Sequence, residues 1–213
     1  MEQANLILDE LIRGYPQLEA VRQDIMGAYR ALEGCYASKK RLFVCGNGGS
    51  AADALHIVGE LMKSFVTARP MDRGTVDKLL SVCPDQAVYM IEHLQGALPA
   101  YALVENAALC SAFSNDVKAD LVFAQQLYGY AQEGDVLLAI STSGNAENVL
   151  YAVRLAKAMG VVTVGLTGGT GGALKAACDI CMVMPERETY KIQELHQPVY
   201  HALCRMIEAR FFA

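Results

Sequence analysis

Five short, almost uninterrupted apolar runs, each followed by a stretch of helical periodicity, constrain the fold of this chain more than any other feature. They are Leu42 to Cys45, Ala100 to Val104, Val136 to Ile140, Val161 to Leu166 and Ile180 to Met184. A strand with one wet face alternates apolar and polar residues, whereas a run apolar at nearly every position is covered on both sides. Such strands separated by helices predict an α/β fold, a doubly wound five-stranded parallel sheet flanked by helices, because parallel neighbours require crossover connections. The helices are read as Ser50 to Phe65, pieces within Asn106 to Ala131, Glu147 to Met159, a short one after the turn GGTGG, and a last one from Thr189 to Phe212. In front of the sheet, Leu6 to Ser38 repeats apolar residues at spacings of three and four, which predicts an N-terminal helical arm (1–40) with an apolar face to spare for another subunit. Residues 67–95 break the rhythm with a Pro/Arg/Asp-rich start and two short helical patterns, DKLLSV and QAVYMIEHL. They read as an insertion in a single domain spanning 1–213, either a surface cap or a lid over the ligand.

Composition removes several classes of function. Apolar residues make up 53% and charged residues 19%, which fits a packed globular protein and excludes disorder. The formal charge is -5, and the basic residues cluster only at Lys39, Lys40 and Arg41, so no nucleic-acid partner is expected. No stretch approaches the roughly 18 consecutive apolar residues of a membrane helix. The start, MEQANLILDELIRGY, lacks the basic, apolar and small-residue regions of an export signal, which predicts a cytoplasmic protein. Seven scattered cysteines read as reduced thiols; Cys178 and Cys181 form a C-x-x-C, but no second pair completes a zinc knuckle.

The chemistry lies where the apolar runs end. LFVCGNGGS (42–50) and LLAISTSGN (137–145) both lead a strand into a Gly/Ser/Thr loop that opens a helix. Glycines allow close approach to an anion, the helix start offers unpaired N–H groups, and the hydroxyls of Ser50, Ser141, Thr142 and Ser143 add donors. Gly46, Gly48 and Ala51 also satisfy the dinucleotide pattern G-x-G-x-x-G/A. That scheme needs an acid about 20 residues later and gives the second loop no role; here the nearest acid at the end of the second strand is Glu105. A sugar phosphate would use both loops. On the helix after the first loop, His56 and Glu60 share a face, suited to one metal ion, one substrate, or a plain surface hydrogen bond. The last helix carries Gln193, Glu194, His196, Gln197, Tyr200 and His201 between apolar residues, an unusually polar stripe. Gln193 and His201 stand about 12 Å apart along an ideal helix, so one site uses both only through inward-leaning side chains or by drawing on two subunits.

CGNGGSAADALHIVGEL, AFSND, GDVLLAISTSGNAENVLYAV and TYKIQELHQPVYHAL together resemble the phosphoheptose isomerases of the SIS (sugar isomerase) fold. The resemblance covers most of the chain and implies a homotetramer that converts sedoheptulose 7-phosphate to D-glycero-D-manno-heptose 7-phosphate. It implies that Asn47, Gly48, Gly49 and Ser50 contact the sugar phosphate and that Ser141, Thr142 and Ser143 hold its phosphate. Asn115 and Asp116 match a sugar-proximal pair, and Thr189 a ligand-facing hydroxyl. His56, Glu60, Gln193 and His201 correspond to zinc-binding and catalytic positions, with Glu60 suited to carry the carbon proton and His201 the oxygen proton. Two departures are Ala146, where the family has serine, and the insertion, which leaves open an isomerase for another ketose phosphate. The same fold includes a non-enzymatic tetramer that binds the bacterial replication initiator; it lacks the carboxylate and the histidine that stand here as Glu60 and His201.

Overall fold

The computed structural model describes residues 2–213. In chain order it contains α1 (Glu2–Gly14), a 3-10 turn (Pro16–Val21), α2 (Arg22–Ala37), β1 (Leu42–Cys45), α3 (Gly49–Met62), α4 (Arg73–Val82), α5 (Pro84–His93), β2 (Ala100–Ala102), α6 (Ala107–Phe113), α7 (Val122–Tyr130), β3 (Val136–Ile140), α8 (Glu147–Ala158), β4 (Val162–Gly168), α9 (Gly172–Ala177), β5 (Ile180–Met184) and α10 (Thr189–Phe212). The five strands form one sheet, parallel throughout, in the order β2-β1-β3-β4-β5. Val44, Leu138, Ile140 and Leu166 face a core shared with α1, α2, α3 and α10, while Phe43, Cys45, Leu137 and Ala139 face α7, α8 and α9. Both faces are therefore covered, as the apolar runs require. The strand order reverses between β1 and β3, and a crevice opens there beyond the carboxyl ends of the strands.

Several local features depart from the sequence reading. The helical pattern of the arm breaks at Tyr15 (φ -136°, ψ 74°), because the residue before a proline is disfavoured in the helical region. Much of the apolar face of the arm is covered within its own chain: Ala4, Ile7, Leu8 and Leu11 are buried in the same core as α10, and Glu10 pairs with Arg205 at 2.8 Å, while Leu6 and Tyr15 stay exposed. Strand β2 ends at Ala102, where the Glu105 N–H turns back to its carbonyl at 3.1 Å. Between α6 and α7 lie a π-helical turn (Ser114–Lys118) and a 3-10 turn (Ala119–Leu121).

The insertion forms the α4–α5 hairpin. It stands proud of the domain, since α4 buries no residue and α5 only Ala87. Its mouth is strapped by Gly96 N–H to the Arg69 carbonyl (2.7 Å) and Ser64 N–H to Gln95 Oε1 (2.8 Å). The Cys178 and Cys181 thiols are pushed up to about 12 and about 11 by burial, so they stay protonated at neutral pH.

Candidate active site

The two glycine-rich loops leave β1 and β3 side by side at the reversal of strand order. In the first, Gly48 takes φ 55°, a backbone that suits glycine, and this turn starts α3 at Gly49. The Ser50 and Ala51 N–H groups bond back to the Asn47 and Gly48 carbonyls at 3.0 Å, so among the described residues those of Gly48 and Gly49 are left without an acceptor. In the second loop Gly144 takes φ 67° and lies so close to the Gly171 carbonyl that a Cβ would collide with it. Here the Ser141 and Gly144 N–H groups are satisfied, and those of Thr142 and Ser143 are left over. Asn47 and Asn148 exchange two amide hydrogen bonds of 2.9 Å and tie the first loop to the helix after the second. Between the loops is a cavity of about 200 Å³ lined by Asn47, Ser50, Ser141, Thr142, Ser143 and Ala146. Unused N–H groups, hydroxyls and two helix starts converge there, which is a cradle for a phosphate group.

Helices α3 and α10 run side by side in the same direction, and their seam carries the ionisable groups. At one end the Gln193 amide packs on Gly49, where a Cβ would strike it; at the other Glu208 meets the backbone of Phe65. In between, His56 Nε2 stands 3.2 Å from Glu60 Oε1 and 3.4 Å from His201 Nε2. The Tyr200 hydroxyl lies 3.0 Å from His56 Nδ1 and 3.4 Å from Asp53 Oδ1. Because the Glu60 oxygen can only accept, its 3.2 Å contact places the His56 proton on Nε2, and Nδ1 then accepts the Tyr200 proton in place of Asp53. Burial, then the neighbouring His56, lower the pKa of His201 against the opposing pull of Glu60. His201 is therefore a neutral imidazole at pH 7, able to accept a proton.

The structure gathers Asn47, Ser50, Ser141, Thr142 and Ser143 at the cradle, with Gly48 and Gly49 in the first loop but not among the lining residues, and His56, Glu60 and His201 in the seam. It does not bring Gln193 to that cluster. Gln193 sits at Gly49, about 12 Å of helix before His201, and a side chain cannot lean across two turns. One chain therefore does not assemble the set His56, Glu60, Gln193 and His201. Asn115 and Asp116 are exposed on the π-helical turn and bonded to each other at 2.8 Å, while Thr189 is the exposed first residue of α10. None of these three lines the cradle, and neither does any residue of 67–95. The insertion rejoins the domain at the amino end of β2, whereas the cradle lies beyond the carboxyl ends, so it is no lid over the phosphate loops of its own chain. Asp53 and Asn148 escape the sequence reading; the only signal for Asp53 is its place three residues before His56.

Two imidazoles and a carboxylate are a zinc-type donor set. Their separations of 3.2 and 3.4 Å are close to the edge, roughly 3.3 Å, of a tetrahedron with zinc bonds of about 2.05 Å. Among the described residues no three His, Cys, Asp or Glu side chains already enclose a metal-sized point. The donor chemistry fits the ion, and the three side chains would have to turn toward one centre to hold it.

The sequence profile of the SIS domain matches residues 86–168. The chain is 41% identical over 174 residues to the phosphoheptose isomerase of a Nitratiruptor species, an alignment that covers 82% of this chain and 79% of the relative. With the phosphoheptose isomerase of Aneurinibacillus thermoaerophilus it shares 34% identity over 212 residues, 100% of this chain and 89% of that one. The solved phosphoheptose isomerase from Neisseria gonorrhoeae superposes with a TM-score of 0.74 at 30% identity, over 98% of both chains. Similarity at this level across nearly the whole length means that the chain belongs to the phosphoheptose isomerase family and is an aldose–ketose isomerase of phosphorylated sugars.

Proposed function

We propose that the enzyme converts sedoheptulose 7-phosphate to D-glycero-D-manno-heptose 7-phosphate, as a homotetramer with sites shared between subunits and with zinc as cofactor. The observation that carries the reaction is the Glu60 carboxylate and an uncharged His201 on either side of His56 in one polar seam. Moving a carbonyl from C2 to C1 needs a base at carbon and a carrier at oxygen. Glu60 takes a proton from C1 while His201 takes the O1 proton and returns it to O2 through an enediol; Glu60 then delivers its proton to C2. Both residues end in the protonation states in which they began. At rest His56, Glu60 and His201 would hold the zinc, with Gln193 supplied by a second copy; His201 would leave the ion to accept the O1 proton, since a neutral imidazole has one lone pair. When bound, the ion polarises the carbonyl and hydroxyl oxygens of the sugar.

Sharing between subunits is supported by distances along α3. From Gly49 to Glu60 the helix rises about 16 Å. An extended heptulose 7-phosphate spans about 10 Å from phosphorus to C1, eight bonds each advancing about 1.25 Å. A phosphate in the cradle lies beyond the helix start, so its C1 and C2 fall several ångströms short of the Glu60 backbone in the same chain, a gap that the Glu60 side chain narrows by leaning toward the helix start. A cradle from one copy and a seam from another close the gap.

The test is turnover of sedoheptulose 7-phosphate by the purified protein, followed by NMR, with added zinc and then with a chelator. We expect an aldoheptose phosphate whose formation the chelator abolishes. Turnover that survives complete metal removal would overturn the cofactor, and no turnover by folded, zinc-loaded protein would overturn the substrate.

A further inference from the structure

Arg69 opens the insertion in a stretch, ARPMDRG, that reads as solvated surface, yet it is only 2% exposed and its partner Glu208 1%. Helix α3 ends at Met62, and its last carbonyls have no helical donor. Arg69 supplies two: Nη1 donates to the Leu61 carbonyl at 2.7 Å and Nη2 to the Glu60 carbonyl at 3.0 Å. Its Nε donates to Glu208 Oε1 at 2.7 Å, and the Phe212 ring covers the guanidinium with its centroid 5.0 Å from the central carbon. Glu208 in turn accepts from the backbone N–H groups of Phe65 (2.8 Å), Val66 (2.8 Å) and Thr67 (3.0 Å). Two turns before Glu208, on the same stripe of α10, stands His201. A single guanidinium thus grips the peptide of Glu60 on one side and the helix that carries His201 on the other.

We propose that Arg69 and Glu208 are positioning residues that set Glu60 against His201, a role that rests on the catalytic reading above. Charge pairing alone does not explain the pair, since a buried ion pair can often be replaced by apolar residues without loss. What an apolar pair cannot reproduce is the fork that fixes the last turn of α3 relative to α10. Lysine would keep the charge opposite Glu208 but, as a point donor, cannot grip both carbonyls.

The experiment compares R69K with wild type and with E60Q. It measures kcat and KM for sedoheptulose 7-phosphate, and the stoichiometry of binding of the heptitol 7-phosphate, a reduced substrate that cannot isomerise, by calorimetry. R69K is expected to bind the heptitol phosphate at wild-type stoichiometry while kcat per binding site falls about 10- to 100-fold, the scale of a misplacement near 1 Å. A purely structural role would remove binding sites and turnover in proportion and leave kcat per site unchanged, which overturns the proposal. Wild-type kcat in R69K with E60Q inactive overturns it as well; full turnover in E60Q instead overturns the catalytic reading. If R69K fails to fold, R69M/E208M, which leaves no unpaired buried charge, carries the same expectations.

Discussion

The cradle and the seam are both built on α3, but from different materials. In the cradle the binding groups are backbone N–H donors and short hydroxyls from two contiguous loops, held by glycines whose conformations leave little freedom. In the seam they are side chains, and the contact between His56 and His201 joins residues 145 positions apart. An anion is recognised by dipoles that a local turn creates on its own. An acid–base pair exists only once two helices have been packed at a fixed register. Phosphate recognition is therefore a property of short motifs, while the reaction performed on the sugar is a property of tertiary packing.

This division can be broken most decisively at Glu60. E60Q should lower kcat by about 10²- to 10⁴-fold and leave heptitol 7-phosphate affinity nearly unchanged, as steady-state kinetics and calorimetry would show; a loss of affinity with normal kcat would erase the distinction. The converse lesion is A146D, in which the new carboxylate lines the cradle at the start of α8. Aspartate is a good N-cap, so the fold should hold. Repulsion of the phosphate should raise KM by about 10²-fold with kcat at saturation changed far less.

Acid should loosen the seam side of the molecule. His196 of α10 is 0% exposed, meets the Thr167 carbonyl at 3.3 Å and has no partner for Nδ1 among the described residues. Burial holds its pKa at about 4, below the usual 6.5. Because the unfolded chain binds the proton more readily, this contribution is complete above pH 6.5 and is lost as pH falls toward 4. It amounts to about 3 kcal/mol. Denaturant titrations from pH 7 to pH 4 should show that decline, and H196Q should flatten it. The smallest expected change is A146S, where one restored hydroxyl in the cradle should lower KM two- to tenfold, about one ordinary hydrogen bond.

Legibility follows the same division. Strands β1, β3 and β5 and the whole of α10 appear at the residues their apolar runs and periodicity indicate, because a strand covered on both faces leaves an unambiguous pattern. The cradle loops are equally plain. The periodicity of the arm reveals an apolar face and not what covers it; α10 of the same chain covers Ala4, Ile7, Leu8 and Leu11. The helix rise already separates Gln193 from His201 in the sequence, and the register of α10 on α3 decides between leaning side chains and separate ends by packing Gln193 on Gly49. Arg69 and Glu208 carry no local signal at all, being 139 residues apart and each typical of a surface when read alone.

The central claim, that one copy's cradle serves another copy's seam, is tested most directly by mixing two inactive variants. E60Q keeps an intact cradle and A146D an intact seam. Co-refolded at equal amounts into mixed oligomers, random assortment should restore about a quarter of wild-type turnover at substrate levels where neither variant alone is active. Mixed oligomers that form and remain inactive would contradict it.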